Sequence, residues 1–252
     1  VGYSAGKLNN VNNNNVNGFS FKAITNINDH SYIGGCVGWS LGVVSNVTNA
    51  AHIAIPVGSA LPKMVCLGGC VGKADGSVLT ATNNGNISIG TSTGDPVSIG
   101  TSCYGGIVGK SDMAAADGAI KDATNNGNLS LYINCPGTSH IGGIMGQADS
   151  ADITAIENAN NYGAITLNNS STGAIYAAGI TPYLYVGGKN LTNHATATID
   201  ITTNSSGSTY VSGIGGYIKA NSSELLNQGD ITINGTAKGL TLIAGISANA
   251  AA

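Results

Sequence analysis

The stretch LGGCVG at Leu67–Gly72, followed by TNNGNISI at Thr82–Ile89, decides the fold, because both halves recur along the chain. The first half returns as IGGCVG from Ile33, YGGIVG from Tyr104 and IGGIMG from Ile141. Weaker copies are AAGITP from Ala177, VSGIGG from Val211 and IAGISA from Ile243. One glycine is kept in all seven: Gly35, Gly69, Gly106, Gly143, Gly179, Gly213 and Gly245. The steps between them are 34, 37, 37, 36, 34 and 32 residues. The second half returns as TNNGNLSL from Thr124, NNYGAITL from Asn160 and LNQGDITI from Leu226. Degenerate forms are NNVNGFSF from Asn14, TNAAHIAI from Thr48 and HATATIDI from His194. A repeat of this length, one supersecondary unit per period, is the mark of a stacked array.

The runs ISI, LSL, ITL, IDI and ITI alternate apolar and polar residues, the period of a strand with one buried face. Helix signals are poor, since glycine and asparagine interrupt every 3.6-residue pattern. The expected fold is therefore all-β: a β-solenoid, or parallel β-helix, of about seven coils with 32–37 residues and about three short strands per coil. No shift of composition marks a linker, so residues 1–252 read as a single repeat domain, alone or as part of a longer chain or assembly.

In a solenoid, equivalent residues of successive coils stack. Counted back from the end of each second signature, one column reads Asn15, Asn49, Asn83, Asn125, Asn161, Ala195 and Asn227. Inward asparagines at a corner can donate and accept along the stack, which predicts an amide ladder. The nearby Gly85, Gly127, Gly163 and Gly229 are expected to supply positive φ there. Cys36 and Cys70 share a column with Ile107, Ile144 and Ile180. Cys66 and Cys103 share another with Tyr32, His140, Tyr176 and Tyr210, read as a core column. Each cysteine pair lies on adjacent coils, within disulfide reach; buried thiols standing in for isoleucine are the alternative. Cys135 reads as free.

Asp75, Asp112 and Asp149 form an acidic column with Lys73, Lys110 and Gln147 beside it. The simple reading is a solvated face of compensated charge; the sharper one is a calcium site, to which Asp117, Asp122, Asp152 and Glu157 could add oxygens. No other cofactor is implied.

Among 252 residues there are nine lysines and no arginine, and the net charge is −3. That leaves no basic face for nucleic acid. Apolar runs are too short for a membrane span. The opening residues lack the charged and apolar regions of a signal peptide. A neutral surface of Asn, Ser, Thr and Gly suits an extracellular or cell-surface protein. Sequons, among them Asn46, Asn86, Asn190, Asn204, Asn221 and Asn234, permit glycosylation in a secretory setting. His30, His52, His140 and His194 occupy different repeat positions and define no site. The outward column Ser20, Ala54, Ser88, Ser130, Thr166, Asp200 and Thr232 mixes residue types where an ice-binding face would carry regular threonine ranks.

The pairing of G-G-[IC]-V-G with N-x-G-x-[IL]-x-[IL] resembles the GLUG-type repeats of bacterial surface proteins, most closely from Gly68 to Leu167. The resemblance implies a secreted or surface-displayed, adhesin-like solenoid with little chemistry of its own. The expected function is a non-enzymatic structural or adhesive module, associating with itself through solenoid ends or with other surface proteins. A carbohydrate-binding module, with Trp39, Tyr183, Tyr185 and Tyr217 as aromatic platforms and glycans as partners, is the alternative. A polysaccharide-degrading β-helix enzyme is a second one, although inverting hydrolysis needs a carboxyl pair that this sequence does not offer.

Overall fold

A computed structural model describes residues 1–21, 29–91, 95–113, 118–148 and 155–250. It is all-β, without helix, and its strands stack in parallel into a solenoid of about six turns. Each turn carries four short strands rather than three. In the third turn they are Val71–Ala74, Val78–Asn83, Ile87–Ile89 and Val97–Gly105. We call the corresponding sides the first face, the second face, the third face and the return. The second face holds seven rungs in one sheet, from Leu8–Asn13 to Ser223–Asn227. Third face and return join into one sheet where Val97 pairs with Ile133. Register follows the repeat: Ile87 lies between Ile53 and Leu129, and Asn83 between Asn49 and Asn125.

The interior has two cores rather than one. Val37, Val44, Val71, Val78, Ile107 and Ile120 fill a lobe between the first and second faces. Ile53, Leu67, Ile87, Ile99, Leu129 and Ile141 fill a lobe between the third face and the return. The two lobes meet at a waist made by the two strongest sequence columns. A Cβ on Gly69 would lie 2.4 Å from Cγ of Asn83, and one on Gly106 would lie 2.3 Å from Cγ of Asn125. The same holds at Gly35, Gly143, Gly179 and Gly213 against Asn49, Asn161, Asn193 and Asn227. The repeat glycine is thus required by the asparagine that crosses the coil to touch it. At Gly245 nothing lies within 4 Å of the added carbon.

The waist asparagines form a directional ladder. Nδ2 of Asn49, Asn83, Asn125, Asn161 and Asn193 each donates to Oδ1 of the next, all at 2.9 Å. The second Nδ2 proton goes to a carbonyl of the same corner: Ala51, Gly85, Gly127, Gly163 or Ala197. In four of them, Oδ1 also accepts from the backbone N–H of Ala51, Gly85, Gly127 or Gly163. Buried amides paired this fully close the corner without orphaned polar groups.

Two expected members of the ladder are displaced. The residue in register with Asn49 is Asn13, whose Nδ2 donates to Gly35 O, and not Asn15, whose amide caps the local turn at Gly18 O. The sixth is Asn193 rather than Ala195. Both corners are two residues longer than the others, since Asn13 precedes Phe19 and Asn193 precedes Ile199 by six residues where Asn49 precedes Ile53 by four. Counting back from the following strand therefore slips by two. Nor do the corner glycines supply positive φ. Gly85, Gly127 and Gly163 are instead spaces for the coil beneath: a Cβ on Gly85 would sit 1.9 Å from Ala51 O.

Positive φ appears elsewhere, in a column the sequence does not advertise. Asn10, Asn46, Thr80, Asp122, Asn158, Asn190 and Glu224, one in each second-face strand, have φ between 52° and 57°. Pairing skips them, passing from Leu79↔Lys121 to Ala81↔Ala123. They act as stacked bulges that bend every rung at the same place. Asparagine and aspartate adopt this conformation readily; the β-branched Thr80 adopts it at a steric cost.

Candidate functional site

The feature of this fold open to recognition or chemistry is a re-entrant groove where the return meets the first face. Its geometry follows from which side chains meet. Inward residues of the two arms enter different cores, as Leu67 and Val71 do. Outward residues touch across the corner. The rings of Tyr32 and Trp39 lie 5.7 Å apart, and those of His140 and Tyr183 lie 5.4 Å apart. Such contacts require the corner to point inward. One wall carries Tyr32, Cys66, Cys103, His140, Tyr176 and Tyr210. The other carries Tyr3, Trp39, Lys73, Lys110 and Gln147, and beyond them Tyr183 and Tyr217.

In the first four corners three glycines shut the groove. A Cβ on Gly68 would lie 2.0 Å from Val71 O, and one on Gly105 would lie 1.9 Å from Val108 O. The last glycine of the second, third and fourth motifs faces the return backbone one coil back: Gly72 against Ile33 N at 2.5 Å, Gly109 against Leu67 N and Gly146 against Tyr104 N, both at 2.6 Å. Backbone packs on backbone at the floor, so Cys66, Cys103, Lys110 and His140 are buried although they point away from both cores. In the last three corners Ala178, Ser212 and Ala244 replace the first glycine, and Pro182 replaces the last one of the fifth motif. Each real Cβ forces its corner wider. The first-face sheet breaks there, five strands ending at Met145–Ala148 and three resuming at Thr181–Leu184. Tyrosines fill the wider groove. Tyr176 stacks on Tyr210 at 4.8 Å and 6°, and Tyr183 on Tyr185 at 5.4 Å and 8°. Tyr176 and Tyr210 are therefore half-buried groove residues and not core, contrary to the sequence expectation.

The acidic column lies on the lip of the closed half. Nζ of Lys73 is 3.2 Å from Asp75 and 2.9 Å from Asp112, and Nζ of Lys110 is 3.1 Å from Asp112. The place between the two carboxylates that calcium would take is filled by the Lys73 ammonium. Burial pulls the pKa of Lys73 down, but Asp112 and Asp75 outweigh it and the net shift is upward. The same ammonium lies 4.5 Å from the Trp39 ring centre and 5.5 Å from that of Tyr32, and Trp39 Nε1 donates to Asp75 at 2.8 Å. The lysine and acid side chains are 10–24% exposed, so the column is a half-buried salt ladder rather than a solvated face. Asp149, Asp117 and Asp152 lie outside the described residues. Among the described residues no group of three or more His, Cys, Asp or Glu side chains is placed to hold a metal.

Of the two expected cysteine pairs, Cys66 and Cys103 are bonded, coil to coil, with Cα atoms 4.5 Å apart. Cys36 and Cys70 are free. Their thiols turn into the first core, each donating to a threonine carbonyl of its own coil, Thr48 O at 3.3 Å and Thr82 O at 3.4 Å. Burial pushes the Cys36 thiol up to about 11. Cys135 is also free and buried.

His140 closes the tyrosine half of the groove. Burial, with Lys110 adding to it, lowers its pKa to about 4, so its imidazole is neutral at pH 7. Its Nε2 lies 3.5 Å from the Tyr183 hydroxyl. Sequence reasoning missed this groove because its wall alternates with core residues at strand period. The signal that could have found it is the joint loss of the two flanking glycines at Ala178 and Pro182, where tyrosines gather.

The fold and groove define an all-β parallel solenoid of the repeat class. No family model, no curated protein and no solved structure matches the chain. Among the described residues no helix is long and apolar enough to cross a membrane.

Proposed function

We propose that this protein is a non-enzymatic structural and adhesive β-solenoid of the extracellular space, as the GLUG-type resemblance implies. The supporting observation is that its most regular columns are spent on joining coil to coil: the asparagine ladder, the glycines that receive it, and the lysine–aspartate ladder. Each coil already covers the next in register, so a second copy stacked head to tail would continue the same array, which is the geometry of a filament. Electron microscopy and sedimentation over a range of concentrations test this: filaments one solenoid wide are expected. Monomers at every concentration would remove self-assembly from the reading. Release of reducing ends from a panel of polysaccharides would remove the non-enzymatic part.

Glycan binding is a second reading, favoured by the half-buried tyrosines of the wide groove. It predicts glycan retention that Tyr183→Ala and Tyr217→Ala abolish while the fold is kept.

A further inference from the structure

The column that carries the disulfide continues into the tyrosines. Cys66, Cys103, His140, Tyr176 and Tyr210 are successive in-register residues on one wall. The two cysteines are already joined across neighbouring coils. Tyr176 and Tyr210 stand in the same relation three coils further on. Their rings are parallel within 6° and 4.8 Å apart, closer than any other ring pair among the five groove tyrosines. Both are part-exposed, so small oxidants reach them from the groove.

We propose that Tyr176 and Tyr210 are an oxidative cross-linking site, joined carbon to carbon as dityrosine by a haem-peroxidase type of oxidant with hydrogen peroxide. Each phenol gives up one electron and its hydroxyl proton. The two phenoxyl radicals couple through ring carbons ortho to the oxygens. Each ortho hydrogen then moves to oxygen as aromaticity returns. Hydrogen peroxide takes up the two electrons and two protons and leaves as two water molecules. The ladder register holds the two Cα atoms on neighbouring rungs, so the reacting rings are brought together before oxidation begins. The product is a second covalent staple, fastening the fifth coil to the sixth as the disulfide fastens the second to the third.

The full chain is treated with a haem peroxidase and limiting hydrogen peroxide, and the monomer is isolated by gel filtration. The expected product has a mass lower by two hydrogen atoms and shows dityrosine fluorescence. After cleavage at lysine, the segment holding Tyr176 (122–189) is linked to the segment holding Tyr210 (190–219). Tyr176→Phe and Tyr210→Phe keep the stacked ring and the fold but each abolishes the link. Tyr183→Phe, Tyr185→Phe and Tyr217→Phe retain it. A link that survives Tyr176→Phe or Tyr210→Phe overturns the proposal. So does cross-linking only between chains, or oxidation of the exposed Tyr162 with no link in the groove. Because the readout is the monomer, the result stands apart from whether the protein forms filaments.

Discussion

The first four groove corners and the last three come from one repeat yet differ in shape. Where the motif is Gly-Gly-x-x-Gly, at Gly68, Gly105 and Gly142, the groove is shut and its polar residues are buried. Where Ala178 or Ser212 takes the first position, the groove is open and lined with tyrosine. The waist does not distinguish them, since Gly179 and Gly213 still receive Asn193 and Asn227. One glycine of the corner therefore serves the inside of the coil and its neighbours serve the outside. A repeat protein can thus keep its interior constant while changing its surface.

The comparison can be broken at several points. Asn125→Ala removes the shared element. It strands Asn83 Nδ2 and Asn161 Oδ1 together with Gly127 N and O, and is expected to cost about 4 kcal/mol by chemical denaturation. Gly105→Ala imposes the late-coil residue on an early corner, where Val108 O leaves it 1.9 Å. It should cost about 3 kcal/mol, while the reverse change, Ala178→Gly, should cost 1 kcal/mol or so. If both cost the same, the corner does not set the groove.

His140 sits at the junction of the two regions, facing Lys110, Tyr176 and Tyr183. Its pKa is about 4 when folded and about 6.5 when unfolded, so the unfolded chain binds the extra proton. The native advantage is full above pH 6.5 and is lost as pH falls through 4, about 3 kcal/mol in all. Melting temperatures measured across that window should flatten in His140→Gln. The smallest effect expected is a gain. Thr80 is the β-branched member of the positive-φ column, and Thr80→Asn should stabilise by about 1 kcal/mol. Asn158→Thr should lose about as much.

The seven repeats, the glycine column and most of the ladder are legible in the sequence because stacking forces like residues into like places. Asn13 and Asn193 escaped because corner length varies while strand register does not. The groove escaped because strand alternation tells inside from outside only where a coil is convex. At a re-entrant corner an outward residue such as Cys66 or His140 is also buried. The bulge column escaped because its conformation is shared by Asn, Asp, Thr and Glu rather than by glycine.

Each coil carries both halves of its waist, with Gly35 and Asn49, Gly69 and Asn83, Gly179 and Asn193, Gly213 and Asn227 all 14 residues apart. Gly106 and Asn125, and Gly143 and Asn161, are further apart by 5 and 4 residues that lie between the two faces in sequence. A whole period is therefore a self-sufficient cassette. Cutting one out, or copying one in, leaves no orphaned amide and no unfilled glycine, because the new neighbours bring the same partners. Cutting through the strands by part of a coil shifts the register and separates a glycine from its asparagine. The solenoid can change in length only in steps of one coil.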